Sequence, residues 1–167
     1  FYAEIPAVIF NIQRRGPSTG MPTRSQQADM TMCAYASHGD SKHIMLIPAD
    51  PKECFEMAAQ AFDLAERFQT VVFVMSDLEL GMNDYVCDEL EWDEGRTWDR
   101  GKNLGPADFD AGKKFFRYLD EDGDCIPYRT YPGIDSRSAY FTRWSGHDKF
   151  GRYTEDGSLY VENMQRI

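Results

Sequence analysis

A chain of 167 residues with 42% hydrophobic and 14% aromatic content has a globular composition and enough length for one packed core. Its net charge of -10 and pI near 4.7 exclude the electrostatic footprint of a nucleic-acid binder. No run approaches the ~20 apolar residues of a membrane-spanning helix and no basic, apolar leader opens the chain, so the expectation is an untargeted, cytoplasmic protein.

The first strand is expected at Ile5 to Ile12, a run apolar and β-branched enough to be buried on both faces, as in parallel sheets. Because it begins almost at Phe1, the chain reads as an internal piece of a longer polypeptide. Gln13 to Arg24 then forms a loop at the carboxyl end of that strand, the end at which open α/β sheets place ligands. Two glycines and two prolines set its path, and it carries Arg14, Arg15, Ser18, Thr19 and Thr23. Arg14 is the candidate for a carboxylate or phosphate, since a guanidinium binds either as a bidentate fork. The competing reading is a rigid connector with solvated arginines. A phosphate-binding P-loop is excluded because no lysine follows Gly20.

Ser25 is placed to cap a helix over 26–36, and Ser37-His38-Gly39-Asp40 ends it. His43 to Ile47 is the next strand. Asp50-Pro51-Lys52-Glu53 has the cap, proline and glutamate of a helix start, and the helix is expected to reach Phe68, with Asp63 pairing to Arg67. Thr70 to Ser76 is a second buried strand ending at Asp77. Strand and helix alternate as in a parallel α/β sheet with right-handed crossovers.

From Leu78 the periodicity degrades. Residues 77–124 hold 15 acids against 6 bases, so the acidity of the chain lies in this segment. Asn83 to Trp98 reads as an irregular, solvent-facing connector, and Gly112 to Leu119 as a short helix or strand. Asp120-Glu121-Asp122-Gly123-Asp124 is a tight acidic turn, because a calcium loop of the EF-hand type requires glycine sixth and a carboxylate twelfth, where this chain has glycine fourth and Tyr131 twelfth. Cys33, Cys54, Cys87 and Cys125 are too widely spaced for a zinc or iron-sulfur motif and read as reduced structural thiols. His38, His43 and His147 share no metal-ligand spacing. His38 sits where it could approach a site at the strand ends, whereas Gly146-His147-Asp148 reads as structural or interfacial. No nucleophile elbow supports Ser-His-Asp catalysis.

Arg-x-Gly-Pro-Ser-Thr-Gly-x-Pro-Thr, running from Arg14 to Thr23, resembles the signature loop of the α subunit of 2-oxoacid:ferredoxin oxidoreductases, most closely the 2-oxoglutarate branch. His38-Gly39-Asp40, Glu53 to Asp77, Ile126-Pro127-Tyr128-Arg129-Thr130 with Pro132-Gly133, and Tyr140-Phe141-Thr142-Arg143 with Gly146-His147-Asp148 agree in the same order. The resemblance implies that residues 1–77 are the second half of a pyrimidine-type, thiamine-diphosphate-binding α/β module. It implies an acidic connector over 78–124, and over 125–167 an irregular extension leading toward the next domain. It implies oxidative decarboxylation of a 2-oxoacid to acyl-CoA, with electrons passed to ferredoxin. Arg14 and Thr23 fall on the substrate-binding positions, and Ser18, Thr19 and His38 are possible site-loop residues, the competing reading being that Ser18 and Thr19 cap the loop's own backbone and that His38 is a hydrogen-bonded loop histidine, with no catalytic residue and no metal ligand in this piece. Thiamine diphosphate and Mg belong to the complete enzyme and an iron-sulfur cluster to a partner subunit or domain, none being expected on this chain alone. The implied partners are a β subunit, ferredoxin indirectly, the 2-oxoacid and coenzyme A, without nucleic acid or membrane. The alternative is a noncatalytic α/β interaction module that keeps the fold without the chemistry.

Overall fold

Strands β1 (Ala7–Gln13), β2 (Ile44–Leu46) and β3 (Val71–Asp77) form a parallel sheet in the order β1-β3-β2 in the computed structural model. The structure describes residues 1–16, 22–37, 42–141 and 145–167. Contacts divide the chain into two units, Pro6–Asp99 and Phe1–Ile5 with Arg100–Ile167.

In the sheet unit, successive residues of β3 point to opposite faces and so build two cores. Val72 and Val74 pack on Ala61 and Ala65 of helix α2 (Pro51–Phe68), joined by Val8, Ile44, Leu46 and Leu64. Phe73 and Met75 pack on Cys33 of helix α1 (Met30–Ala34), joined by Met30, Met45 and Val71. The start of α2 is the one expected: Asp50 Oδ1 accepts from the Glu53 amide at 2.8 Å, Pro51 occupies the first turn, and Glu53 Oε2 accepts from the Ala49 amide at 2.7 Å. It ends at Gln69, whose left-handed backbone (φ 52°) turns its amide onto the Ala65 carbonyl.

Three expectations for this unit are corrected. The first strand is not buried on both faces: as an edge strand with a neighbour on one side only, β1 leaves Ile9, Phe10 and Ile12 43 to 50% exposed. The helix after the loop is one short turn and a half, Met30–Ala34, because Ser25 spends its hydroxyl on the distant Glu79 amide instead of capping residues 26–36. Asp63 does not pair with Arg67. It accepts from Arg96 and from the Asp99 amide, while Arg67 donates to Asp99 at 2.6 Å. These bonds and the edge-to-face pairs Phe55–Trp92 and Phe62–Trp98 fasten the otherwise irregular residues 92–99 along the outer side of α2. After β3, helix α3 (Leu78–Met82) is the last regular element of the unit.

The second unit is mostly irregular, with helices α4 (Pro106–Asp110) and α5 (Gly157–Arg166) and a 3-10 turn at Ser136–Ser138. Residues 112–119, expected as a helix or strand, are irregular apart from turns at Gly112 and at Arg117 and Tyr118, and their aromatic side chains do the packing, Phe116 on Phe150 and Tyr118 on His147. The centre is polar. Glu4, 4% exposed, takes both terminal nitrogens of Arg166 on its carboxylate and Arg117 on its carbonyl. His147, 1% exposed, stacks on the Tyr118 ring at 3.8 Å, and its carbonyl accepts from Asn163 at 2.7 Å. The Gly146-His147-Asp148 segment is therefore structural. No described helix is long and apolar enough to cross a membrane.

Burial holds the His147 imidazole below its ordinary value of 6.5, outweighing the Asp148 carbonyl that favours the proton. The unfolded chain then binds a proton more readily than the folded one, so the stability carried by neutral His147 is complete above about pH 6.5 and is lost as pH falls below it. Thermal unfolding is expected at lower temperature at pH 5.5 than at pH 7.5. His147→Phe, which keeps the stack and cannot titrate, should flatten the dependence, leaving the share of His43, which burial shifts the same way. An unchanged slope in that variant would show that His147 is not the titrating group.

Candidate functional site

The ladder between β1 and β3 ends with Gln13 opposite Asp77, so the loop after β1 and helix α3 leave the sheet side by side at its carboxyl end. Both flanks of the loop are tied there. Upstream, the Arg15 amide donates to the Arg24 carbonyl at 3.4 Å and closes the two ends of the loop on each other. Downstream, Ser25 Oγ accepts from the Glu79 amide at 3.0 Å while Asp77 Oδ1 accepts from the Leu80 amide at 2.9 Å. Two oxygens, one from each strand's continuation, thus satisfy the amides of the first turn of α3. This is the role Ser25 takes in place of the helix cap expected of it.

Arg14 and Thr23 each lie one residue before a member of the closing pair, and both are exposed. The Arg14 and Arg15 side chains make no hydrogen bond or ion pair with the described residues, whereas Arg24 folds back onto the Thr23 carbonyl at 2.9 Å. Of the three arginines in the loop, Arg24 is spent on the backbone, and among the described residues nothing engages the Arg14 and Arg15 side chains. Ser18, Thr19 and His38 lie outside the described residues.

Sequence reasoning passed over Gln13. It is 1% exposed, its Oε1 has no hydrogen-bond partner among the described residues, and it immediately precedes Arg14. No sequence signal marked it: the residues on its strand face are Ile9, which is exposed, and Asn11, which is half-buried and committed to Asp29 and Cys33 at 3.3 Å each. Cys33 itself is pushed up by burial, against the Asn11 hydrogen bond, so it is a structural thiol. None of the four cysteines is in a disulfide.

Among the described residues, the one cluster of metal-ligating type is Asp120, Asp122 and Asp124, in the other unit. Lys102 Nζ stands within it, 2.6 Å from Asp122 Oδ1 and 2.6 Å from Asp124 Oδ1, and Asp120 accepts from the amides of Gly123 and Cys125. The Lys102 ammonium thus sits between the carboxylates of Asp122 and Asp124, and Asp120 binds the backbone of the turn.

The family described as "Pyruvate flavodoxin/ferredoxin oxidoreductase, thiamine diP-bdg" matches residues 1–104. The chain is 43% identical over 81 residues to the 2-oxoglutarate synthase subunit KorA of Methanocaldococcus jannaschii, covering 48% of this chain and 22% of that one. It is 36% identical over 171 residues to subunit alpha of the 2-oxoacid:ferredoxin oxidoreductase 1 of Sulfurisphaera tokodaii, covering 98% of this chain and 26% of the relative. Among solved structures, the 2-oxoglutarate:ferredoxin oxidoreductase from Magnetococcus marinus, with 2-oxoglutarate, coenzyme A and succinyl-CoA bound, superimposes with a TM-score of 0.81 at 26% identity, over 99% of this chain and 27% of that one. The chain spans about a quarter of the length of these relatives.

A buried amide oxygen without a partner costs folding free energy, and an apolar side chain of similar shape removes that cost. Gln13→Leu should raise stability by about 1 to 3 kcal/mol, read as a higher denaturant midpoint. A drop in the midpoint would show that the amide is hydrogen-bonded in the folded chain.

Proposed function

The chain belongs to the pyruvate flavodoxin/ferredoxin oxidoreductase family, through its thiamine-diphosphate-binding region, and on that premise we propose that it is part of the α subunit of a thiamine-diphosphate-dependent 2-oxoacid:ferredoxin oxidoreductase. The complete enzyme would convert a 2-oxoacid and coenzyme A to acyl-CoA and carbon dioxide, with the electrons passed to ferredoxin. The observation that carries the reading is Arg14, an exposed guanidinium with no hydrogen bond or ion pair among the described residues, one residue beyond β1 at the carboxyl end of the sheet, leading a loop whose ends are closed by the Arg15–Arg24 bond.

A carboxylate that must be held until it leaves is suited to such a group. The Arg14 fork meets it with two charge-assisted hydrogen bonds, and the Thr23 hydroxyl adds a neutral donor. Ser18, Thr19 and His38 complete the candidate loop positions. The similarity to KorA and to an enzyme solved with 2-oxoglutarate favours 2-oxoglutarate as the acid.

The residues described fit the substrate rather than the cofactor. Asp77, the carboxylate at that end of the sheet, is occupied with the α3 amides, and the lysine-filled aspartate turn offers no place for a diphosphate-bound metal. Thiamine diphosphate supplies the nucleophilic carbon for the 2-oxoacid when bound. In this proposal it is held with Mg by the rest of the enzyme, an iron-sulfur cluster lies on a partner subunit or domain, and a β subunit completes the cytoplasmic assembly. The chain alone is then inactive. The alternative, an interaction module without chemistry, predicts that Arg14 is dispensable.

In the complete enzyme Arg14→Ala should lower kcat/KM by roughly ten- to more than a hundredfold, and Thr23→Val by less. Arg14→Lys should recover part of the activity, because an ammonium lacks the planar fork. Arg15→Ala is the control and should matter little. A larger loss at Arg15 than at Arg14 would return the loop to a connector.

The 167-residue chain by itself should show no submicromolar binding of thiamine diphosphate in calorimetric titration. Tight binding there would place the cofactor site on this chain.

A further inference from the structure

Among the described residues, the hydrogen bonds and ring contacts of the arm between α3 and Trp92 lie at its two ends. At the start the Asn83 amide donates to the Glu79 carbonyl at 3.1 Å, and at the far end the Trp92 ring meets Phe55 at 5.9 Å and Trp98 at 6.0 Å. Between them, among the described residues, no backbone hydrogen bond joins Asp84 to Glu91 to anything else, and the backbone has no regular structure. The side chains along it are apolar as well as acidic. Val86 is fully exposed, Tyr85 and Leu90 are each 42% exposed, and Met82 just before them is 61% exposed. Asp84, Asp88, Glu89 and Glu91 stand among them with no base from Asn83 to Gly95.

An irregular backbone whose donors and acceptors are unused among the described residues, carrying exposed apolar side chains, is a segment whose hydrogen bonds and apolar surface are left for another polypeptide to satisfy. The charge says which kind. Two copies of a chain with net charge -10 would bring like charges together along this arm, whereas a surface rich in Lys and Arg is drawn to it. We propose that residues 83–91 are a docking arm for a different subunit of the assembly proposed above, one that offers an apolar recess for Val86 and Leu90 rimmed by basic residues. The inference rests on that reading for the existence of the assembly and not on the substrate site.

Hydrogen exchange on the complete assembly tests it. The amides of 84–91, which lack partners among the described residues, should be protected at least about a hundredfold there. Val86→Ser and the triple change Asp88→Lys, Glu89→Lys, Glu91→Lys should each remove the protection. The triple variant should also weaken subunit association by about tenfold or more in sedimentation velocity and reduce its dependence on salt. Free exchange in the wild-type assembly, or protection that survives both variants, would overturn the proposal. Protection that appears with this polypeptide alone and grows with its concentration would overturn it in favour of a second copy. The Arg14→Ala enzyme separates the two readings: a lost kcat/KM beside an unprotected arm removes only the docking arm, and a protected arm beside intact Arg14→Ala activity removes only the substrate site.

Discussion

The alternation of side chains along β3 is the constraint on which the sheet unit depends. Val72 and Val74 commit one face to the alanines of α2, and Phe73 and Met75 commit the other to Cys33 of α1. A strand with period two cannot slip by one residue without exchanging those sets, so the register with β1 and β2 is determined by packing on both faces at once. Ala61 and Ala65, without bulk, let α2 lie close on the sheet. The same register sets Gln13 opposite Asp77, and that pairing decides where the loop and α3 leave the sheet.

At the carboxyl end of the sheet the polar groups divide between structure and solvent. Asp77 and Ser25 are used up on the amides of α3, Arg24 on its neighbour's carbonyl, and the Arg15 and Arg24 backbones on each other. Structural needs are met by short side chains and backbone, and the long cationic side chains of Arg14 and Arg15 are left over. An exposed guanidinium loses little on being left in water and gains from a carboxylate presented in its plane. The buried amide of Gln13 is the other leftover, and it costs stability where Arg14 does not.

The second unit solves a different problem. With few regular elements it has few backbone ladders to satisfy its polar groups, and charged side chains take over the task. Glu4 gathers Arg117 and Arg166, Lys102 neutralises the aspartate turn, and Arg137 joins Asp110 to Asp135, whose carboxyl it holds down at about 2. Glycine has a specific place here: a side chain at Gly146 would meet the Thr154 carbonyl at 2.2 Å, inside the antiparallel bridge of His147 with Tyr153.

By itself the sequence determined the elements whose signals are local. Asp50, Pro51 and Glu53 marked the start of α2 and the apolar runs marked the strands, because caps, fixed φ and short periodicities act within a few residues. It also offered Arg14 and Thr23, the two residues of the proposed substrate site. Tertiary structure alone decided what depends on neighbours distant in sequence. The sheet order makes β1 an edge strand, the return of the loop beside β3 turns Ser25 into a cap for α3, and the return of residues 96–99 onto α2 separates Asp63 from Arg67. Gln13 became visible only when its surroundings were complete, since a glutamine is ordinary in a sequence and unusual only once it is buried without a partner.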